Sequence, residues 1–167
     1  VTGIIRPMAW CGGTTDAIVV GIGYPEGSDV IDAYRESFTR RDHDMTPVYD
    51  ATVEREMTAA HGRPTPNGDA ANFHAFIRDE LIPFIEATYR ADPAKRILVA
   101  HSYGGLFGLF GLFTTPALFQ QLVIGSPTLT YGGGFVMAQE AAFAQANTRL
   151  SVAIYLFMGD IYEDDAD

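Results

Sequence analysis

The chain has 167 residues, 47% of them hydrophobic, and a formal net charge of -10 at pH 7. That length and apolar fraction suit a single domain, 1–167, with a core of its own. The acidic balance argues against nucleic-acid and anionic-membrane partners, which are held by basic faces. Every apolar run ends before about 18 residues, so no membrane span is expected. The single cysteine, Cys11, allows no internal disulfide, reads as a structural thiol and leaves the compartment open.

In chain order, Asp16 to Pro25 (D-A-I-V-V-G-I-G-Y-P) is a β-branched run closed by Gly and Pro, and it predicts a buried parallel strand. Residues 26–68 are polar and weakly periodic; they read as a long excursion with short helical pieces around Asp29–Phe38 and Thr52–Ala60. Gly68-Asp69 opens a strong helix with Asp69 as N-cap. Phe73, Phe76, Ile77, Leu81, Phe84 and Ile85 form its expected buried face, and Pro83 should kink it. After Asp92-Pro93, the run Arg96–Ala100 predicts a second strand and Tyr103 to Phe113 a helix whose glycines let it pack close to the sheet. Gln121–Gly125 predicts a third strand, Phe135 to Asn147 a helix, and Leu150–Met158 a fourth strand ahead of an acidic tail. Strands alternating with helices specify an α/β fold with a mostly parallel sheet. Ser102, Ser126 and Asp160 then fall at strand C-terminal ends, where such sheets gather their reactive groups.

The motif that carries chemistry is Ala100-His101-Ser102-Tyr103-Gly104-Gly105. A serine between a strand and a glycine-rich helix is the context of a nucleophile elbow, G-x-S-x-G, here with Ala100 in the first glycine's place. The turn lifts the hydroxyl clear of the sheet, and the first N–H groups of the following helix face any oxyanion that forms.

From Asp16 onward the order of landmarks resembles the esterase D-type branch of the α/β-hydrolases, and within it the enterochelin/salmochelin siderophore esterases. The matching pieces are residues 19–25 (V-V-G-I-G-Y-P), Arg41 with Asp44-Met45-Thr46-Pro47, residues 76–85 (F-I-R-D-E-L-I-P-F-I), residues 101–107 (H-S-Y-G-G-L-F) and Ser126-Pro127-Thr128-Leu129. The resemblance implies a partial α/β-hydrolase fold and hydrolysis of a small-molecule carboxylic ester, without metal or cofactor. It implies Ser102 as nucleophile, the Tyr103 N–H as an oxyanion donor, and Asp160 or Glu163 as the acidic partner. Arg41, Asp42 and Asp44 would border the cleft, as salt-bridge or substrate-contact residues.

One requirement is unmet. Hydrolases of this fold order their triad Ser, acid, His, and the serine needs a base at hydrogen-bond distance. The four histidines are His43, His61, His74 and His101, and none follows Ser102. His101 points to the opposite face from its neighbour on an extended strand, and His74 is expected at the edge of the long helix. The family's three strands before Asp16 also have too few residues here, so the domain reads as incomplete at both ends. Such a sheet should leave an apolar face and an edge uncovered, which favours self-association.

Two readings follow: a serine esterase acting on siderophore-type esters, or a non-catalytic α/β-hydrolase-like binding domain. A nucleotide-binding reading of Gly21-Ile22-Gly23 fails, since Glu26 stands where a phosphate loop needs its next glycine. Asp42-His43-Asp44 lacks a second ligand cluster, so no metal site is expected. Phe107, Phe110 and Phe113 follow helical spacing and are expected in the core.

Overall fold

In the computed structural model, residues 16–24 and 30–159 are described. Six α-helices are α1 (Val30–Met45), α2 (Ala51–His61), α3 (Ala70–Phe76), α4 (Ile82–Thr88), α5 (Tyr103–Thr114) and α6 (Tyr131–Ala146), with a π-helical turn at Ile77–Leu81 joining α3 to α4. The strands β1 (Ile97–His101), β2 (Gln121–Gly125) and β3 (Ala153–Phe157) form a parallel sheet in the order β1-β2-β3. Val99, Val123 and Tyr155 lie in one row across it, and His101, Gly125 and Phe157 two rows further on. This is an α/β layering, with helices on one face of a parallel sheet.

The core lies between the sheet and α5. Alternation sends Leu98, Ala100, Leu122 and Ile124 to one face, and α5 covers it. The close approach depends on glycine. A Cβ on Gly105 would sit 3.0 Å from Ile124 Cγ2 and 3.1 Å from Pro127 Cβ, and one on Gly108 would sit 3.0 Å from Leu98 Cδ2. Leu106, Phe107, Leu109 and Phe110 are buried beside them, and Phe113 packs on Phe143 with ring centroids 5.6 Å apart. The phenylalanine stripe is therefore core, as its spacing predicts.

Three expectations need correction. Residues 16–24 join no ladder, and Ile18, Val19, Val20 and Ile22 are exposed, so the predicted buried strand is absent there; Pro25 and Cys11 lie outside the described residues. A β-branched run favours extended backbone, but a strand exists only where a neighbour takes its hydrogen bonds. The polar excursion is also more helical than its weak periodicity predicts: α1 runs on to Met45 and packs against α3 and α5. α2 agrees with expectation because its ends are specified locally. Asp50 Oδ1 accepts from the Thr52 and Val53 N–H groups at 2.9 and 3.2 Å, and Gly62 closes the helix at φ 67°.

The third correction concerns the long helix. Phe76 and Phe84 are exposed, while Leu81 and Ile82 pack on the core. The π turn at Ile77–Leu81 ends just ahead of Pro83, which cannot donate to the carbonyl four residues back. The inserted residue rotates the face that follows, so 3.6-residue periodicity carried through it selects Phe84 where Ile82 belongs. Asp69 does occupy the N-cap position, but its Oδ1 accepts from Asn72 Nδ2 at 2.7 Å and makes no cap bond.

Candidate active site

Ser102 is the junction between β1 and α5, with φ 57° and ψ -122°. A non-glycine residue at positive φ costs on the order of 1–3 kcal/mol and persists only where its surroundings enforce it. Here the enforcement is visible. The Ser102 N–H donates to Gly125 O at 3.0 Å, and its carbonyl accepts from the Leu106 N–H at 3.0 Å. The end of β2 is held in turn: Ser126, at φ 38°, donates its N–H to Phe157 O at 2.8 Å and accepts the Gly159 N–H on Oγ at 3.1 Å. The three strand ends are thus stapled side by side, as the sequence predicts for Ser102 and Ser126. The Ser102 hydroxyl makes no cap bond, and among the described residues it has no hydrogen-bond partner. Asp160 and Glu163 lie outside the described residues, Asp160 directly after Gly159.

Tyr103 is clamped from two sides. The Arg41 guanidinium lies 5.2 Å from its ring centroid, and the Tyr131 ring meets it edge-on at 5.6 Å and 83°. Tyr131 is buried and donates its hydroxyl to Val48 O at 3.1 Å; burial pushes its pKa up to about 12, and burial likewise raises Tyr103. The contacts fix the residue whose N–H begins α5. Arg41 also stands 3.9 Å from Asp42, which is almost fully buried and whose pKa is raised by that burial. Sequence reasoning named Arg41 as a residue bordering the cleft but missed Tyr131. Its only local signal is the run Gly132-Gly133-Gly134, which takes φ of 58°, 66° and 82° and turns the chain before the regular part of α6.

The loop after α1 is tied to the start of α3 beside the elbow. Buried Thr46 donates to Asp42 O at 2.6 Å and accepts the Gly68 N–H at 2.7 Å, and Asn67 holds the backbone of Asp50 through both ends of its amide. Tyr24 lies against Asp44; burial first, then the Asp44 charge, raises its pKa.

None of the four histidines hydrogen-bonds Ser102 among the described residues. His101 lies on the sheet face away from α5, where its Cδ2 and the Phe157 ring close over Gly125. His74 is buried, not at an edge: its ring packs on Phe107 and Phe110, and its Nε2 has no partner among the described residues. Burial, then the Arg78 charge, lowers its pKa. His43 Nδ1 contacts Asp44 Oδ1 at 2.8 Å and Asp69 Oδ2 at 3.8 Å. Those three half-exposed groups, with ligand atoms within 4.8 Å of one another, are the described residues that could hold a cation; Asp42 is not among them.

Comparison with known proteins bears on this geometry. Over 141 residues the chain is 30% identical to the siderophore enterobactin esterase of Emericella nidulans, covering 83% of this chain and 45% of that protein. Over 147 residues it is 31% identical to the ferri-bacillibactin esterase BesA of Bacillus subtilis, covering 87% and 48%. Among solved structures, the BES protein from Bacillus cereus superposes with a TM-score of 0.74 at 33% identity, covering 95% of this chain and 57% of that one. The chain therefore spans less than half the length of these two curated relatives. A family model, Esterase (putative esterase), matches residues 19–156, from the exposed β-branched run through the elbow and into β3. Since that match takes in most of the chain, including the strained serine between β1 and α5, the chain belongs to the Esterase family and has its α/β-hydrolase fold.

Proposed function

We propose that this chain is the nucleophile-bearing part of a carboxylic ester hydrolase acting on siderophore-type esters. The observation that carries the proposal is Ser102 at positive φ between strand and helix, its hydroxyl without a hydrogen-bond partner among the described residues. In this reading Ser102 Oγ attacks the ester carbonyl, and the Tyr103 N–H with a second donor holds the oxyanion. The serine proton passes through a base to the departing alcohol, and water then releases the acid from the acyl-enzyme. The acidic partner is Asp160 or Glu163, and the base is a histidine that residues 1–167 do not contain. The names of the relatives support the substrate class.

That none of the histidines hydrogen-bonds Ser102 among the described residues, and that none follows it in the sequence, favours a second reading, an α/β-hydrolase-like binding domain whose elbow is not activated. Fluorophosphonate labelling of these residues within a polypeptide that also carries the histidine, read by intact mass, separates the two, with Ser102→Ala as control. Labelling that disappears in the variant is expected of the hydrolase. An unlabelled chain would establish the binding domain, because a serine without a base stays a poor nucleophile near neutral pH.

A further inference from the structure

Along α1 from the elbow, α1 and α2 border an open cleft of about 330 Å³ lined by Tyr34, Arg35, Phe38, Ala60 and His61. That volume is at the small end of the range occupied by organic ligands. The Tyr34 and Phe38 rings meet edge to face at 4.8 Å and 71°, and the His61 ring lies 6.2 Å from Phe38. Tyr34 is nonetheless 64% exposed, so this aromatic wall faces solvent.

The charges are arranged unequally. Arg40 pairs with Glu36 and Arg41 approaches Asp42, whereas Arg35 has no ion pair among the described residues. His61 has one ring nitrogen 3.4 Å from Thr65 Oγ1. In a chain of net charge -10, a guanidinium with no ion pair among the described residues gives this cleft a cation. At about 1.5 Å of rise per residue, Arg35 lies roughly 9 Å along the helix from Arg41, which stands over Tyr103.

We propose that this cleft binds a small aromatic carboxylate. The ligand ring packs against Tyr34 and Phe38, and its carboxylate takes the Arg35 fork, with a His61 N–H as second donor. Planar guanidinium pairs with planar carboxylate through two parallel hydrogen bonds. The aromatic walls favour an edge-to-face or offset ring over an aliphatic one. The proposal goes beyond the ester-hydrolase reading and does not require it.

The test is ligand-observed ¹⁹F NMR with 4-fluorobenzoate on the whole chain, with the neutral 4-fluorobenzamide as comparison. Saturable binding of the acid is expected, with the amide weaker by about tenfold, the loss of one charge-assisted contact. Arg35→Gln should weaken the acid by a similar factor and leave the amide unchanged. Phe38→Leu should weaken both probes. Ser102→Ala should change neither, which keeps this result separate from the labelling experiment. Non-saturating signal, equal binding of acid and amide, or an unaffected Arg35→Gln variant would overturn the proposal.

Discussion

The two faces of the sheet are built from alternate residues of the same three strands, yet they are finished differently. Beneath α5, Leu122 and Ile124 are 2% and 0% exposed; on the other face, Val99 and Tyr155 are 64% and 66% exposed. The covered face is assembled locally, because the helix that leaves β1 returns across the strands it connects. The elbow belongs to that finished half. Its strain at Ser102 is held by Gly125 and Leu106, both inside residues 97–126, and the end of β2 is held in turn by Phe157 and Gly159. The opposite face contributes the ladder but has no packing layer among the described residues, so its side chains should matter little to stability and much to association.

Four measurements would break or sharpen that contrast. The largest effect is expected from Ile124→Ala, which empties a fully buried site and should cost about 2–5 kcal/mol in urea unfolding; a loss as small as that of an exposed residue would mean α5 does not pack as described. Gly108→Val comes next, because its branches must enter the space of Leu98 and Ile124. Overpacking should cost about 1–3 kcal/mol, with Gly133→Ala, whose Cβ meets open space but keeps the φ strain, as the milder comparison.

A smaller effect concerns pH. His74 has a folded pKa below its ordinary 6.5, so the unfolded chain binds its proton more readily. Its contribution is present above about 6.5 and is lost as pH falls toward the folded value. The melting temperature should therefore fall between pH 7 and pH 5, and less steeply in His74→Leu; parallel profiles would remove His74 as the cause. The smallest stability change, within about 0.5 kcal/mol, is expected for Val99→Thr and Tyr155→Thr on the uncovered face. The same pair should nevertheless reduce self-association in analytical ultracentrifugation, because they interrupt an exposed apolar patch. A wild-type chain that sediments as a sharp 18.2 kDa monomer would show that the face is tolerated in water.

Most of the covered half was legible in the sequence. Gln121–Gly125 as a strand, Ser102 as a strand-to-helix turn and Phe107 and Phe110 as core rest on short-range signals: β-branched runs, small residues around a serine, and helical spacing. The misses have a common cause. Asp16–Tyr24 has every local mark of a strand, but none of those marks provides a hydrogen-bond partner. Phe84 obeys a period that the Pro83-linked π turn interrupts. His74 has no residue beside it in sequence that announces burial under Phe107 and Phe110.

The sequence by itself determined the α/β order, the elbow at Ser102 and the glycine spacing that lets α5 lie on the sheet, because each depends on residues within one turn or one strand. Only the tertiary structure decided which apolar runs became strands and which face was covered. It alone brought Arg41 and Tyr131 onto Tyr103 and set Arg35 beside Tyr34 and Phe38 with no ion pair among the described residues. Those outcomes depend on contacts between segments tens of residues apart, and such contacts leave no period or motif in the chain that makes them.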